Sequence, residues 1–216
     1  MKNIIYIYND YGISQTSCDA IKTSLLKMTP SNQIRPINAE QIIKGAWRET
    51  ARLFIMPGGV DLHYCHMLNG AGNRQIKAYV TEGGIYIGIC AGAYYGTAYC
   101  DFAYTVNKNP QNTVIETREL AFYPGGSVGP YLAPYEYNSE NGARIAKILY
   151  KRKIHHVYFN GGCYFEAPER FPNTTVLARY NNEGFAQHAA IIKCTVGNGK
   201  ALLSGVHPEI DIALLV

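Results

Sequence analysis

An α/β fold of the flavodoxin-like kind is what this sequence predicts: a mostly parallel sheet with helices on both faces and an antiparallel β extension in the C-terminal half. Three observations carry the expectation. In the first half, apolar runs rich in β-branched and aromatic residues alternate with helical patterns, which is the signature of strand–helix–strand units. In the second half, short strand-like runs are separated by Gly, Pro and Asn. The length, 216 residues, suits a single domain over 1–216 that buries roughly 70% of its unfolded surface with no metal or disulfide staple.

Ile4 to Tyr8 reads as a buried strand closed by Asn9-Asp10-Tyr11-Gly12, and Ser17 as the cap of a helix running to Met28 before Pro30. Gln33 to Ile37 is the second expected strand, Ala39 to Trp47 a short helix, and Arg52 to Met56 the third strand, ending at Pro57-Gly58-Gly59. Asn73 to Glu82 reads as a helix and Gly84 to Ile89 as a strand that runs straight into Cys90. Ligands of such sheets bind beyond the carboxyl ends of the strands. Further on, Thr113–Thr117, Leu120–Tyr123, Val157–Asn160 and Thr175–Tyr180 read as short strands, with one helix at Ala143–Tyr150. The C-terminal stretch reads as two strands joined at Gly197-Asn198-Gly199, the second delivering His207 to its carboxyl end.

Composition narrows the function classes. Twenty Lys and Arg against sixteen Asp and Glu leave a net charge of only +4. The densest basic run, Lys151-Arg152-Lys153 with His155-His156, reads as a solvated turn before a strand, so a nucleic-acid partner is not implied. No stretch approaches the ~20 apolar residues of a membrane span, and the N-terminus lacks a signal-peptide core. A cytoplasmic protein without a membrane partner is expected, secretion or a periplasmic location staying open if a leader preceded Met1. The six cysteines form no CxxC pair and read mostly as buried thiols.

The chemistry centres on "GIYIGICAGAYYG", residues 84–96. A residue held on a very tight turn between strand and helix has its side chain pushed to the tip, and only small neighbours two positions away avoid collision with the adjoining backbone. Gly88 and Gly92 meet that demand around Cys90, making a nucleophile elbow with Cys in place of Ser. A helix N-terminus behind Cys90 favours the thiolate. Gly58 and Gly59, with Ala91, are candidate backbone donors to an oxyanion. In Gly205-Val206-His207-Pro208-Glu209, His207 can serve as base and acid, and Glu209 can fix its tautomer. Each piece also has a plain reading as a buried cysteine, a turn or a terminal loop; their shared position at strand ends is what favours a site.

These motifs resemble the class I glutamine amidotransferase-like superfamily, and more narrowly the N-terminal, amidotransferase-like domain of the long biotin-protein ligases, through "MPGGVDLHY" (56–64), "GICAGAYYG" (88–96), "YFNGGCYF" (158–165) and "GKALLSGVHPE" (199–209). The resemblance implies Cys90 as nucleophile, His207 as base, Glu209 as its partner, and an amide or acyl small molecule as substrate, with a biotin-handling protein as a conceivable partner. Amidotransferases that hydrolyse glutamine usually carry Gln four residues after the nucleophile; Tyr94 stands there, so free glutamine is not the expected substrate. The biotinyl-adenylate loop of a ligase and a phosphate-binding loop are both missing from the sequence, so neither biotin ligation by this chain nor a cofactor is implied. The DJ-1 and PfpI-like branch fits less well, because Ala91 rather than His follows Cys90.

Asp61 follows the candidate oxyanion glycines and reads as a group that orients a substrate amine or fixes its loop. His63, Cys65 and His66 lie close by, but three potential ligands on one short loop make a poor zinc site. Asn160 and Gly161 close a strand, the glycines serving either close approach to a ligand or a tight turn. Tyr94, Tyr95, Tyr99, Tyr123 and Tyr164 are candidate pocket walls, or half-buried sheet residues.

Overall fold

The computed structural model describes residues 2–102, 113–136 and 139–215. Strand β1 (Ile4–Tyr8) is followed by α1 (Gln15–Leu26), β2 (Ile34–Ile37), α2 (Ala39–Lys44), β3 (Ala51–Met56), α3 (Asp61–Leu68), α4 (Ala71–Thr81), β4 (Ile85–Ile89) and α5 (Ala91–Tyr95). Then come β5 (Thr97–Phe102), β6 (Val114–Thr117), β7 (Tyr123–Gly129), β8 (Arg144–Tyr150), β9 (Lys153–Phe159), β10 (Tyr164–Phe165), β11 (Thr174–Tyr180), β12 (Ala189–Val196) and β13 (Gly199–Ser204).

Residue pattern explains the layers. In the central strands Ile5, Ile7, Ile55 and Ile89 point to one face and pack on Cys18 and Ile21 of α1. Tyr8, Phe54, Met56 and Tyr86 point to the other, against Ile42 of α2, Tyr64 and Leu68 of α3, and Ile76 and Val80 of α4. Period-two alternation with both faces apolar is what a parallel sheet sandwiched between helices requires. The parallel part has the order β2-β1-β3-β4-β13. It continues through antiparallel β12, β10 and β7 to β5 and β6, with β11, β8 and β9 branching from β12. The expected fold class is observed.

Four local expectations are corrected. Ser14, not Ser17, caps α1: the Ser14 hydroxyl accepts the Ser17 N–H at 3.3 Å, which moves Ser17 into the first turn. The helix expected over Ala143–Tyr150 is strand β8, because pairing with β9 on one side and β11 on the other buries Ala146 and Ile148 alternately and overrides helix propensity. Leu120 and Phe122 are buried, but in a connection where Ala121 takes a φ of +46°, and the strand there is β7 instead. The run from Asp61 to His66 is the start of α3 rather than a loop. Among the described residues no helix is long and apolar enough to cross a membrane, and all six cysteines are free, five of them buried.

The hairpin of β12 and β13, closed at Gly197 with φ +58°, inserts β13 directly beside β4. Their parallel register pairs Leu203 with Gly88 and Ser204 with Ile89. The chain beyond Ser204 therefore emerges at the same sheet edge as the chain beyond Ile89.

Candidate active site

Cys90 sits at that edge with φ +49° and ψ −106°, a conformation that costs an L-residue roughly 1–3 kcal/mol. Its N–H is held by the Ser204 carbonyl at 2.8 Å. A Cβ on Gly88 would come within 2.2 Å of the Gly92 carbonyl oxygen, and one on Gly92 within 2.2 Å of the Met56 carbonyl oxygen. The small residues around the elbow are thus required by backbone contact. The thiol, 7% exposed, faces the Asn160 carbonyl at 3.7 Å.

His207 is anchored by its N–H to the Tyr158 carbonyl at 2.9 Å. Its Nδ1 lies 2.7 Å from Glu209 Oε1, and both side chains are buried. Burial by itself pushes the imidazole down. The charges of Glu209 and then Cys90, with hydrogen bonds to both, outweigh it and hold His207 well above the usual histidine range. Cys90, His207 and Glu209 are therefore brought together.

The three expected oxyanion donors separate. The Gly58 N–H is already donated to Ser17 Oγ at 3.1 Å, which removes it from that list. Gly59 pairs with Ile13 across an isolated bridge whose bonds are made by the flanking residues, Ser14 N to Gly58 O and Val60 N to Gly12 O. In such a pair the N–H of Gly59 turns away from its partner. A Cβ there would strike the Gly12 carbonyl at 2.0 Å. Ala91 is the first residue of α5, where an N–H has no acceptor within its helix. Gly59, Cys90 and Ala91 line one small cavity of about 50 Å³, room for a few waters.

Asp61, Tyr94, Asn160 and Gly161 line the same cavity. Asp61 is committed to Arg118, whose Nε and Nη2 lie 2.9 and 2.8 Å from Oδ2. Burial pushes the Asp61 carboxyl up, and the guanidinium opposes that shift. Tyr94 is walled in: its hydroxyl donates to the Gly161 carbonyl at 3.1 Å, its ring meets Phe102 edge-on, and a Cβ on Gly129 would come 1.8 Å from its oxygen. Gly161 has φ +74°. A Cβ on Gly162 would lie 1.6 Å from the Gly205 carbonyl, so close backbone approach explains that glycine pair.

On the His207 side a larger cavity of about 220 Å³ shares Cys90, Gly59, Tyr135 and Asn160 with the first and adds Ser14, Glu140 and Tyr158. Of the five tyrosines expected as walls, Tyr94 alone lines these two cavities. Tyr95 and Tyr123 are fully buried, Tyr99 lies on β5, and Tyr164 stacks on His188 beside a different cavity. Tyr135 and Tyr158 take their place. Arg118 carries no motif, Ser17 read only as a helix cap and Tyr158 only as the first residue of "YFNGGCYF", so none of the three had a site role legible in the sequence. On α3, His63, one of the three potential metal ligands, stacks on Tyr11 at a centroid distance of 4.1 Å, while Asp61 turns to Arg118.

Comparison with known proteins identifies the family and the fold. The family described as "Biotin-protein ligase, N terminal" matches residues 3–216. A biotin–protein ligase of Schizosaccharomyces pombe is 38% identical over 95% of this chain, and the chain spans only 33% of that protein. An uncharacterised protein of Chlamydia muridarum is 41% identical over 95% of this chain and 80% of its own length. Among solved structures, PurLQS from Thermotoga maritima superposes with a TM-score of 0.56 at 14% identity, covering 98% of this chain and 90% of the other. That likeness concerns the fold alone.

Proposed function

Since the chain belongs to the family of biotin-protein ligase N-terminal domains, we propose that it is a Cys-dependent amidohydrolase or acyl transferase of amidotransferase-like fold, acting on a small-molecule amide or acyl compound other than free glutamine. The observation that carries this reading is the strained Cys90 elbow beside the buried His207–Glu209 pair.

His207, held protonated near neutrality by Glu209 and Cys90, pairs with a Cys90 thiolate. The sulfur attacks the acyl carbon, and the Gly59 and Ala91 N–H groups take the negative charge that develops on its oxygen. His207 then gives its proton to the departing amine, leaving a thioester on Cys90 and a neutral imidazole. A water or amine acceptor loses its proton to that imidazole as it attacks the thioester, and the thiolate–imidazolium pair returns. Tyr94 stands four residues after Cys90, where glutamine-hydrolysing amidotransferases usually carry a Gln that helps to hold the substrate, and its hydroxyl is already used by Gly161; this supports the exclusion of free glutamine.

The first experiment is iodoacetamide alkylation of the six cysteines, resolved by peptide mapping, in the wild type and in His207→Ala. Selective modification of Cys90 in mildly acidic to neutral solution, slowed by loss of His207, is the expected result, and Cys90→Ala then abolishes hydrolysis of any amide found. Equal reactivity of all six thiols would rule the proposal out. A second reading is favoured by the small cavity beside the locked Tyr94: a non-catalytic cytoplasmic module that binds a small molecule or a biotin-handling protein and has no biotin ligase activity of its own. Tight binding with no amide turnover would identify it.

A further inference from the structure

We infer that Ser17 is a positioning residue of the proposed Cys90–His207–Glu209 site, one hydroxyl fixing both the carboxylate and the oxyanion strand; the inference rests on the catalytic reading above. Ser17 lies in the first turn of α1 and is 0% exposed. Its Oγ is 2.8 Å from Glu209 Oε1, across 192 positions of sequence, and 3.1 Å from the Gly58 nitrogen. A hydroxyl has a single proton. With Gly58 N–H donating to its lone pair, that proton goes to Glu209.

Glu209 needs this second donor. Oε1 receives both His207 Nδ1 and Ser17, while Oε2 is buried and has no hydrogen-bond partner among the described residues. The carboxylate's rotation is therefore fixed through one oxygen, and without Ser17 the imidazole is its only remaining side-chain tie. Gly58 is equally constrained: a Cβ there would stand 2.7 Å from His207 Cε1 and 3.4 Å from Ser17 Oγ, so imidazole, serine and oxyanion strand interlock. The first turn of α1 is itself tied to that strand by Ser14 N to Gly58 O at 2.8 Å. Since Gly58 precedes the donor Gly59, movement of Ser17 would disturb base and oxyanion donor together.

The test compares wild type, Ser17→Ala and Ser17→Thr in two measurements: the pH profile of Cys90 alkylation by iodoacetamide, and the proton NMR signal of His207 Nδ1–H. Loss of a hydrogen bond to a charged group predicts Cys90 alkylation about tenfold slower near neutral pH in Ser17→Ala. Its pH profile is displaced, the other five cysteines keep their rates, and the hydroxyl of Ser17→Thr restores the profile. A Cys90 profile identical to wild type in Ser17→Ala overturns the inference, even if the melting temperature falls. Should wild-type Cys90 prove no more reactive than the other thiols, the catalytic reading fails, and the NMR signal decides for Ser17 alone: a shift or loss in Ser17→Ala supports the positioning role, and coincidence with wild type refutes it. If Ser17→Ala does not fold, Ser17→Cys, a weaker donor of similar size, is read by the same NMR signal with the same two outcomes.

Discussion

Cys90 owes its conformation to neighbours that have no side chains. With a Gly92 Cβ only 2.2 Å from the Met56 carbonyl, Gly92→Ala has no flexible atom to displace. We expect a stability loss of about 3 kcal/mol, the upper range of overpacking, together with loss of selective Cys90 alkylation; chemical denaturation and peptide mapping measure the two. Arg118 acts at the same scale. Its side chain is 1% exposed and paired with Asp61, whose side chain is 15% exposed, so Arg118→Ala strands a largely covered carboxylate and should cost about 3 kcal/mol, the low end for a broken buried pair. The double variant with Asp61→Asn should recover much of that loss, since the only ionised partner then left unpaired among the described residues is the exposed Glu116, and a denaturation series on the four proteins checks it. Asp61 was legible as a site residue because it follows Pro57-Gly58-Gly59. Arg118 was not, for it reaches Asp61 from 57 positions away with no spacing rule to announce it.

Among the elements, the parallel half was readable because its strands carry their own alternation and some of its helices their own cap or stop, as with the Asn38 capping box and the left-handed Gly45 that closes α2. The antiparallel half was harder. Residues 144–150 contain Ala146, Lys147 and Leu149, good helix formers, yet two neighbouring strands recruit them into β8. Ile148, 4% exposed, packs there with Phe159 and Tyr180. We expect Ile148→Ala to cost about 2–5 kcal/mol, a loss that an exposed face of a helix would not produce; thermal or urea unfolding distinguishes the two. α3 was missed for a related reason: Val60, not a Ser, Thr, Asp or Asn, is its N-cap residue, so the usual start signal is lacking.

For the molecule as a whole, the buried His207–Glu209 pair couples stability to pH. His207 is held above its unfolded value of about 6.5. Its contribution is therefore complete below that pH and is lost as pH rises through the folded value. Glu209→Gln removes the largest cause of the elevation, so the melting-temperature gap between wild type and this variant should be wide in mildly acidic solution and narrow at alkaline pH. A gap that widens with pH would contradict the assignment. What the sequence determined by itself was the set of local facts: the α/β alternation, the glycine-flanked Cys90 and the His207–Glu209 pair, all written in spacings of a few residues. Only the tertiary structure decided that β13 lies beside β4, which brings Cys90 and His207 to one edge, that Ser17 already holds the Gly58 N–H, and that Arg118 neutralises Asp61. Those contacts join residues at least 41 positions apart. Burial selects them through shape and charge complementarity, and neither is encoded in any short stretch of chain.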